Sequence, residues 1–221
     1  MDRLCRCLGL IGVLGAPGVA HAAGESSLTG TANVESPACP PALPAPWIGD
    51  SRAKGPRVVV VFKRAFHAGL YADGRLVNGE SGPMCFPVAM GAHPQGPKTR
   101  QDNASTPEGW YRIAEKRDVG HTSFYRGFVV SYPNNDDADR ALKAGVIDTS
   151  TREKIVAANR AGQLPPQGTA MGGWIMIHGM GSQPADWTWG CVGADNASID
   201  AIFPRVKVGD PVLLIPWDEG G

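Results

Sequence analysis

The chain has 221 residues, enough for one domain with a sizeable core and short extensions. Basic and acidic residues both number 21, so no net field favours nucleic acid or an anionic membrane surface. Its 29 glycines and 19 prolines argue against a helical bundle and for a turn-rich, strand-rich fold.

The N-terminus reads as a secretory signal. "MDRLCRC" supplies Arg3 and Arg6, "LGLIGVLG" is a short apolar stretch, and Ala20 and Ala22 in "AHA" form a small-x-small cleavage pattern. Residues 1–22 are therefore predicted to be removed after Ala22, leaving a periplasmic or otherwise extracytoplasmic protein. The apolar stretch is too short to span a bilayer as a helix, and no later segment is apolar enough to do so. Residues 23–55 shift in composition. "SPACPPALPAPW" cannot hold a regular helix or a central strand and reads as a tether packed along the domain.

Residues 56–217 read as a single mostly β domain. "RVVVVFKRA" is β-branched and predicts a strand. Asp73-Gly74 in "GLYADGRLV" predicts a hairpin turn. Further strands are expected at "CFPVAMG", ending at Gly91, and at "EGWYRIAEK", "FVVSYP", "GGWIMIHG" and "DPVLLIP". Three short helices are expected on the surface. One covers "NDDADRALKAG" and stops at Gly145. A second is capped by Thr149 or Ser150 and stops at Gly162. The third is capped by Asp195 or Asn196 and is ended or bent by Pro204.

Five cysteines occur: Cys5, Cys7, Cys39, Cys85 and Cys191. The first two leave with the signal, and three is an odd number for an oxidising compartment. A Cys39–Cys85 bridge with a free Cys191 is the simplest arithmetic, although connectivity is not readable from sequence. No pair has metal-ligand spacing such as C-x-x-C, so no zinc site is expected.

Chemistry concentrates in "IMIHGMG" and "DWTWGCVGADN". A thiol attacks as its thiolate, and an unassisted thiol is mostly protonated at neutral pH. His178, closing a predicted strand, would take the Cys191 proton and return it to the leaving group. Gly190 lets backbone approach a substrate. The helix start at Asp195-Asn196 favours a thiolate weakly, across four residues. From the residues alone, a buried inert cysteine and a structural histidine are the commoner reading of such a pair.

The surrounding motifs raise the catalytic reading. "IHGMG…DWTWGC", "FPVAMGAHPQGPKTRQDNASTPEGWYRI" and "VVSYPNNDDADRA" resemble, in order and spacing, the L,D-transpeptidase catalytic domain family (YkuD-type), over about residues 57–216. The resemblance implies a β-sandwich with a few short surface helices, and an exported enzyme acting on peptidoglycan stem peptides. It implies Cys191 as acyl-accepting nucleophile and His178 as general base. Thr188 stands three positions before the cysteine. Gly190, with the Cys191 amide, would form the oxyanion hole, and the Gly179 carbonyl would orient His178. The family's arginine two residues after the cysteine is Gly193 here. That resembles a branch with a small residue at this place, which includes an amidase that detaches a lipoprotein from peptidoglycan. The acceptor would be an amine or water; no cofactor or metal is implied. Two other functions fit the residues less well: a cysteine peptidase on ordinary protein, and a catalytically silent cell-wall binding domain.

Other positions carry two readings each. Trp187 and Trp189 wall a substrate cleft or fill core. Tyr132 binds peptide or is a satisfied core tyrosine. Lys98 and Arg100, in a polar loop, meet a substrate carboxylate or are solvated charge. His67, His93 and His121 read as structural or surface residues.

Overall fold

The computed structural model describes residues 38–219. The predicted signal, with its cleavage point, and the first part of the extension lie outside the described residues. Eleven strands and three α-helices are described: β1 (Val58–Phe62), β2 (His67–Ala72), β3 (Arg75–Leu76), β4 (Asn78–Gly79), β5 (Gly82–Pro83), β6 (Cys85–Pro87), β7 (Gly109–Arg117), β8 (Gly127–Val130), α1 (Asn135–Lys143), α2 (Thr149–Arg160), β9 (Met176–His178), β10 (Val192–Gly193), α3 (Asn196–Ile202) and β11 (Pro211–Ile215).

Nine strands form one sheet in the order β10-β9-β8-β7-β11-β1-β2-β3, with β6 beside β2; β4 and β5 form a separate hairpin. All five β1 residues are buried, because both faces of this strand are covered. Val59 and Val61 point into the main core, while Val58, Val60 and Phe62 point into a second core on the opposite face. This two-sided burial explains the unbroken apolar run "VVVVF". The parallel partner β11 divides its side chains the same way, with Val212 and Leu214 inside and Leu213 and Ile215 on the outer face. The outer core is roofed by Cys39, Leu43 and Ala53, so the proline-rich extension packs on the domain from Cys39 onward. A Cys39–Cys85 disulfide ties it to β6.

The two layers of the expected sandwich are halves of one coiled sheet. The long strand β7 joins them. Residues 109–112 pair with β11, and a register shift between Ile113 and Glu115 turns the remainder onto β8. The expected strand "CFPVAMG" holds its ladder on β2 only through Pro87. It then crosses to the other end of the sheet, where Ala89 exchanges two backbone hydrogen bonds with Gly193, at 2.7 and 2.9 Å. Gly91 bridges Thr188 just beyond. The ends of the sheet therefore meet at a seam.

The hairpin turn at Asp73-Gly74 forms with positive φ at both residues, the conformation its two-residue loop requires. α1 has a capping box of Asn134 and Asp137. The cap of α2 is Asp148, not Thr149 or Ser150. Its carboxylate accepts from the Thr151 N–H at 2.7 Å, and an ionised acceptor outcompetes a hydroxyl at a helix N-terminus. Asp195 caps α3, and Pro204 lies in the 3-10 turn that ends it.

One buried charge anchors the loop before β7. Lys63 is fully buried, and its three donors reach Gly96 O (2.8 Å), Thr106 O (2.9 Å) and Glu108 Oε1 (2.7 Å). Glu108→Ala would leave that ammonium without its counter-charge. We expect a loss of about 3–5 kcal/mol, read as a fall in Tm of roughly 10 °C by thermal unfolding. Lys63→Met in the same chain should recover part of it. A Glu108→Ala protein as stable as the parent would contradict this role.

Candidate active site

The site lies at the seam. β9 and β10 run parallel, with Ile177 opposite Val192 and His178 opposite Gly193. The sheet period of two then places Cys191, beside Met176, on the same face as His178. Ile177 and Val192 face the main core, which keeps this register from slipping.

His178 is fully buried. Its Nδ1 lies 2.6 Å from the Gly179 carbonyl oxygen. A carbonyl only accepts, so Nδ1 carries the hydrogen and the neutral ring presents Nε2 as a base. Nε2 has no partner among the described residues. Phe124 stacks on the ring with centroids 3.6 Å apart, and Trp187 meets it edge-on at 6.2 Å. Burial holds the imidazole below its ordinary pKa, against the opposing pull of the Gly179 hydrogen bond.

Cys191 is the one free cysteine among the described residues and is half-buried. Its Sγ accepts from the Met176 N–H at 3.4 Å and lies 3.6 Å from Trp174 O. Burial pushes the thiol above its ordinary pKa, while the Met176 N–H and the Lys98 charge pull it down. With a lowered imidazole and a raised thiol, both groups are neutral at rest. The geometry suits general-base activation better than a standing thiolate–imidazolium pair.

Thr188 holds the turn before Cys191. Its hydroxyl donates to Cys191 O at 2.7 Å and accepts from Gly190 N–H at 3.1 Å. The Gly190 amide is thereby occupied. The Cys191 N–H has no acceptor among the described residues and is the donor left for an oxyanion. Gly190 is glycine for a packing reason. Its φ is +122°, and a Cβ there would stand 2.6 Å from Ser105 O.

The remaining predicted positions separate. Trp187 is 39% exposed beside His178, and Trp189 is 75% exposed, so neither fills core. Tyr132 is a core residue, not a substrate contact: it is fully buried and donates to Met171 O at 3.2 Å. Lys98 is buried rather than solvated, while Arg100 is exposed. His67 bonds Ala65 O, and His93 and His121 are exposed. Phe124, Trp174 and the Met176 amide carry no sequence signal; only the fold brings them to the thiol and imidazole.

Residues 56–214 match the YkuD family, described as the L,D-transpeptidase catalytic domain. The chain belongs to this family. A comparison with curated proteins finds no match. Similar solved structures include an L,D-transpeptidase from Xylanimonas cellulosilytica, 19% identical, with a TM-score of 0.45 over 74% of this chain and 62% of that one. Bd1075 of Bdellovibrio bacteriovorus is 21% identical, with a TM-score of 0.44 over 74% and 49%. An L,D-transpeptidase from Mycobacterium tuberculosis is 17% identical, with a TM-score of 0.39 over 72% and 57%. The chain thus spans less than two thirds of each of those chains.

The neutral resting pair predicts a pH profile. Alkylation of Cys191 should accelerate only in the alkaline range, and kcat/KM should fall on the acid side as His178 protonates below about pH 6.5. Stability follows the same sign. A folded pKa below the unfolded one means protons favour the unfolded chain, so this contribution is full above about pH 6.5 and is lost toward the lowered folded value. A thiol already alkylated fast at about pH 6 would instead show a preformed ion pair.

Proposed function

We propose that this family member is an exported L,D-transpeptidase that works on peptidoglycan stem peptides through a Cys191 thioester. The observation that carries the reading is the free thiol of Cys191 on the same sheet face as a buried, neutral His178 whose Nδ1 is held by Gly179. His178 Nε2 takes the thiol proton as Sγ attacks the scissile carbonyl of a diaminopimelate residue. The Cys191 N–H donates to the resulting oxyanion. Collapse breaks the C–N bond, and the leaving amine departs with the proton from His178, leaving the thioester. An acceptor amine then attacks and gives its proton to His178. The thiolate leaves and is reprotonated by the imidazolium. Thr188 sets the turn that aims the thiol, and Trp187, Trp189 and Lys98 border the substrate. The signal-like residues 1–22 support export, and among the described residues no helix is long and apolar enough to cross a membrane.

A hydrolytic reading, with water as acceptor, rests on Gly193, which replaces the family's arginine and resembles the branch that includes an amidase. Position 193 has no side chain, and the Trp187 ring comes within 3.5 Å of where its Cβ would be. The site would then act as an amidase or carboxypeptidase, for example releasing a protein attached to peptidoglycan. Product analysis with purified muropeptides tests both readings. New cross-links or exchanged amines mark the transferase, and free stem carboxylates mark the hydrolase. Cleavage of casein with indifference to muropeptides would sink both.

A further inference from the structure

The two buried lysines of the domain differ in a way that the chemistry so far leaves unused. Lys63 spends all three donors on close oxygens. Lys98, only 2% exposed, has two long contacts, Gln101 O at 3.3 Å and Asn103 Oδ1 at 3.4 Å. The second disappears when the Asn103 amide turns to donate to Arg100 O at 2.8 Å, which places its oxygen toward Thr99. Among the described residues no carboxylate lies in ion-pair range of Lys98. A buried ammonium without partners costs several kcal/mol, so the position is unfavourable unless a ligand completes it.

Lys98 lines a cavity of about 520 Å³ together with Asp102, Gln167, Trp174 and Trp189. Its floor is glycine by necessity. A Cβ at Gly172, where φ is +80°, would press on Lys98 Cε at 3.1 Å, and one at Gly173 would stand 2.6 Å from Gln167 O. Trp174, whose carbonyl lies 3.6 Å from Cys191 Sγ, joins this cavity to the thiol. The Lys98 charge also reaches the Cys191 thiol, where it opposes the effect of burial.

We propose that this cavity is a carboxylate subsite of the acyl donor, with Lys98 Nζ as its charged anchor and Trp174 and Trp189 as its apolar walls. The proposal rests on the stem-peptide reading above. The carboxylate comes either from the residue expelled with the amine or from the side chain of the residue that becomes the acyl group of the thioester.

The test uses the mature chain and stem peptides in which each of these two carboxylates is separately converted to a carboxamide. The parent enzyme should lose on the order of a hundredfold in kcat/KM when one of them is amidated, and that one identifies the source. Lys98→Met should lose a similar factor on the acid peptide and nothing further on that amide, and Lys98→Arg should restore much of it. Equal loss on acid and amide, or indifference of the parent to both amidations, overturns the subsite. Where Lys98→Met does not fold, the amidation series on the parent decides alone. Binding of the same peptides to Cys191→Ala protein separates the subsite from the proposed function. A Lys98-dependent preference for the acid without any turnover by the parent keeps the subsite and overturns the function. No such preference alongside normal turnover does the reverse.

Discussion

Cys191→Ala and His178→Ala should each remove at least about a thousandfold of the turnover on stem peptides while leaving the fold intact. Without the thiol there is no covalent intermediate. Without the imidazole, a thiol that burial already holds in its protonated form must ionise unaided, and the amine leaves without a proton. The two losses should not add. The double variant is expected to be little worse than either single one, because thiol and base act as one unit. The measurement is thioester formation by mass spectrometry beside steady-state product release. A Cys191→Ala protein that turns over muropeptides at the parental rate would overturn the assignment of this site.

Gly193→Arg should block the site. A Cβ at 193 would stand 2.8 Å from Gly181 O and 3.5 Å from the Trp187 ring, and a backbone oxygen cannot give way as a flexible side chain can. Position 193 is paired with His178 across the strands and with Ala89 across the seam, so any displacement reaches the base directly. Overpacking of this kind costs about 1–3 kcal/mol of stability, and a shift of about 1 Å at a base costs roughly a hundredfold in rate. We therefore expect kcat/KM to fall by about two orders of magnitude, with a modest loss in Tm. Gly193→Arg combined with Trp187→Ala should recover some activity if Trp187 is part of the obstruction. Full activity in the single variant would show that the seam opens more easily than its hydrogen bonds indicate.

The sequence by itself determined a good deal. β1 and β11 are legible because both faces of each strand are buried, which leaves an uninterrupted apolar run. The Asp73-Gly74 turn is legible because two adjacent positive φ angles demand those residue types. Cys191 and His178 stand out because a few residue types can perform their chemistry and the flanking motifs occur in order. What the sequence could not specify is what long-range closure decides. "CFPVAMG" reads as one strand, yet it serves two ends of the sheet, because pairing partners far apart in the chain leave no local pattern. Lys98 reversed its commoner reading, and Tyr132 was decided between its two, for the same reason. A tyrosine after a strand and a lysine in a polar loop are buried or exposed according to what packs over them, and here Met171 and Gly172 arrive from a distant segment. The state of His178 is likewise a product of tertiary structure. His178 is held neutral because Phe124 and Trp187 cover it and Gly179 fixes its tautomer, so its proton affinity is set by neighbours that the order of residues does not place.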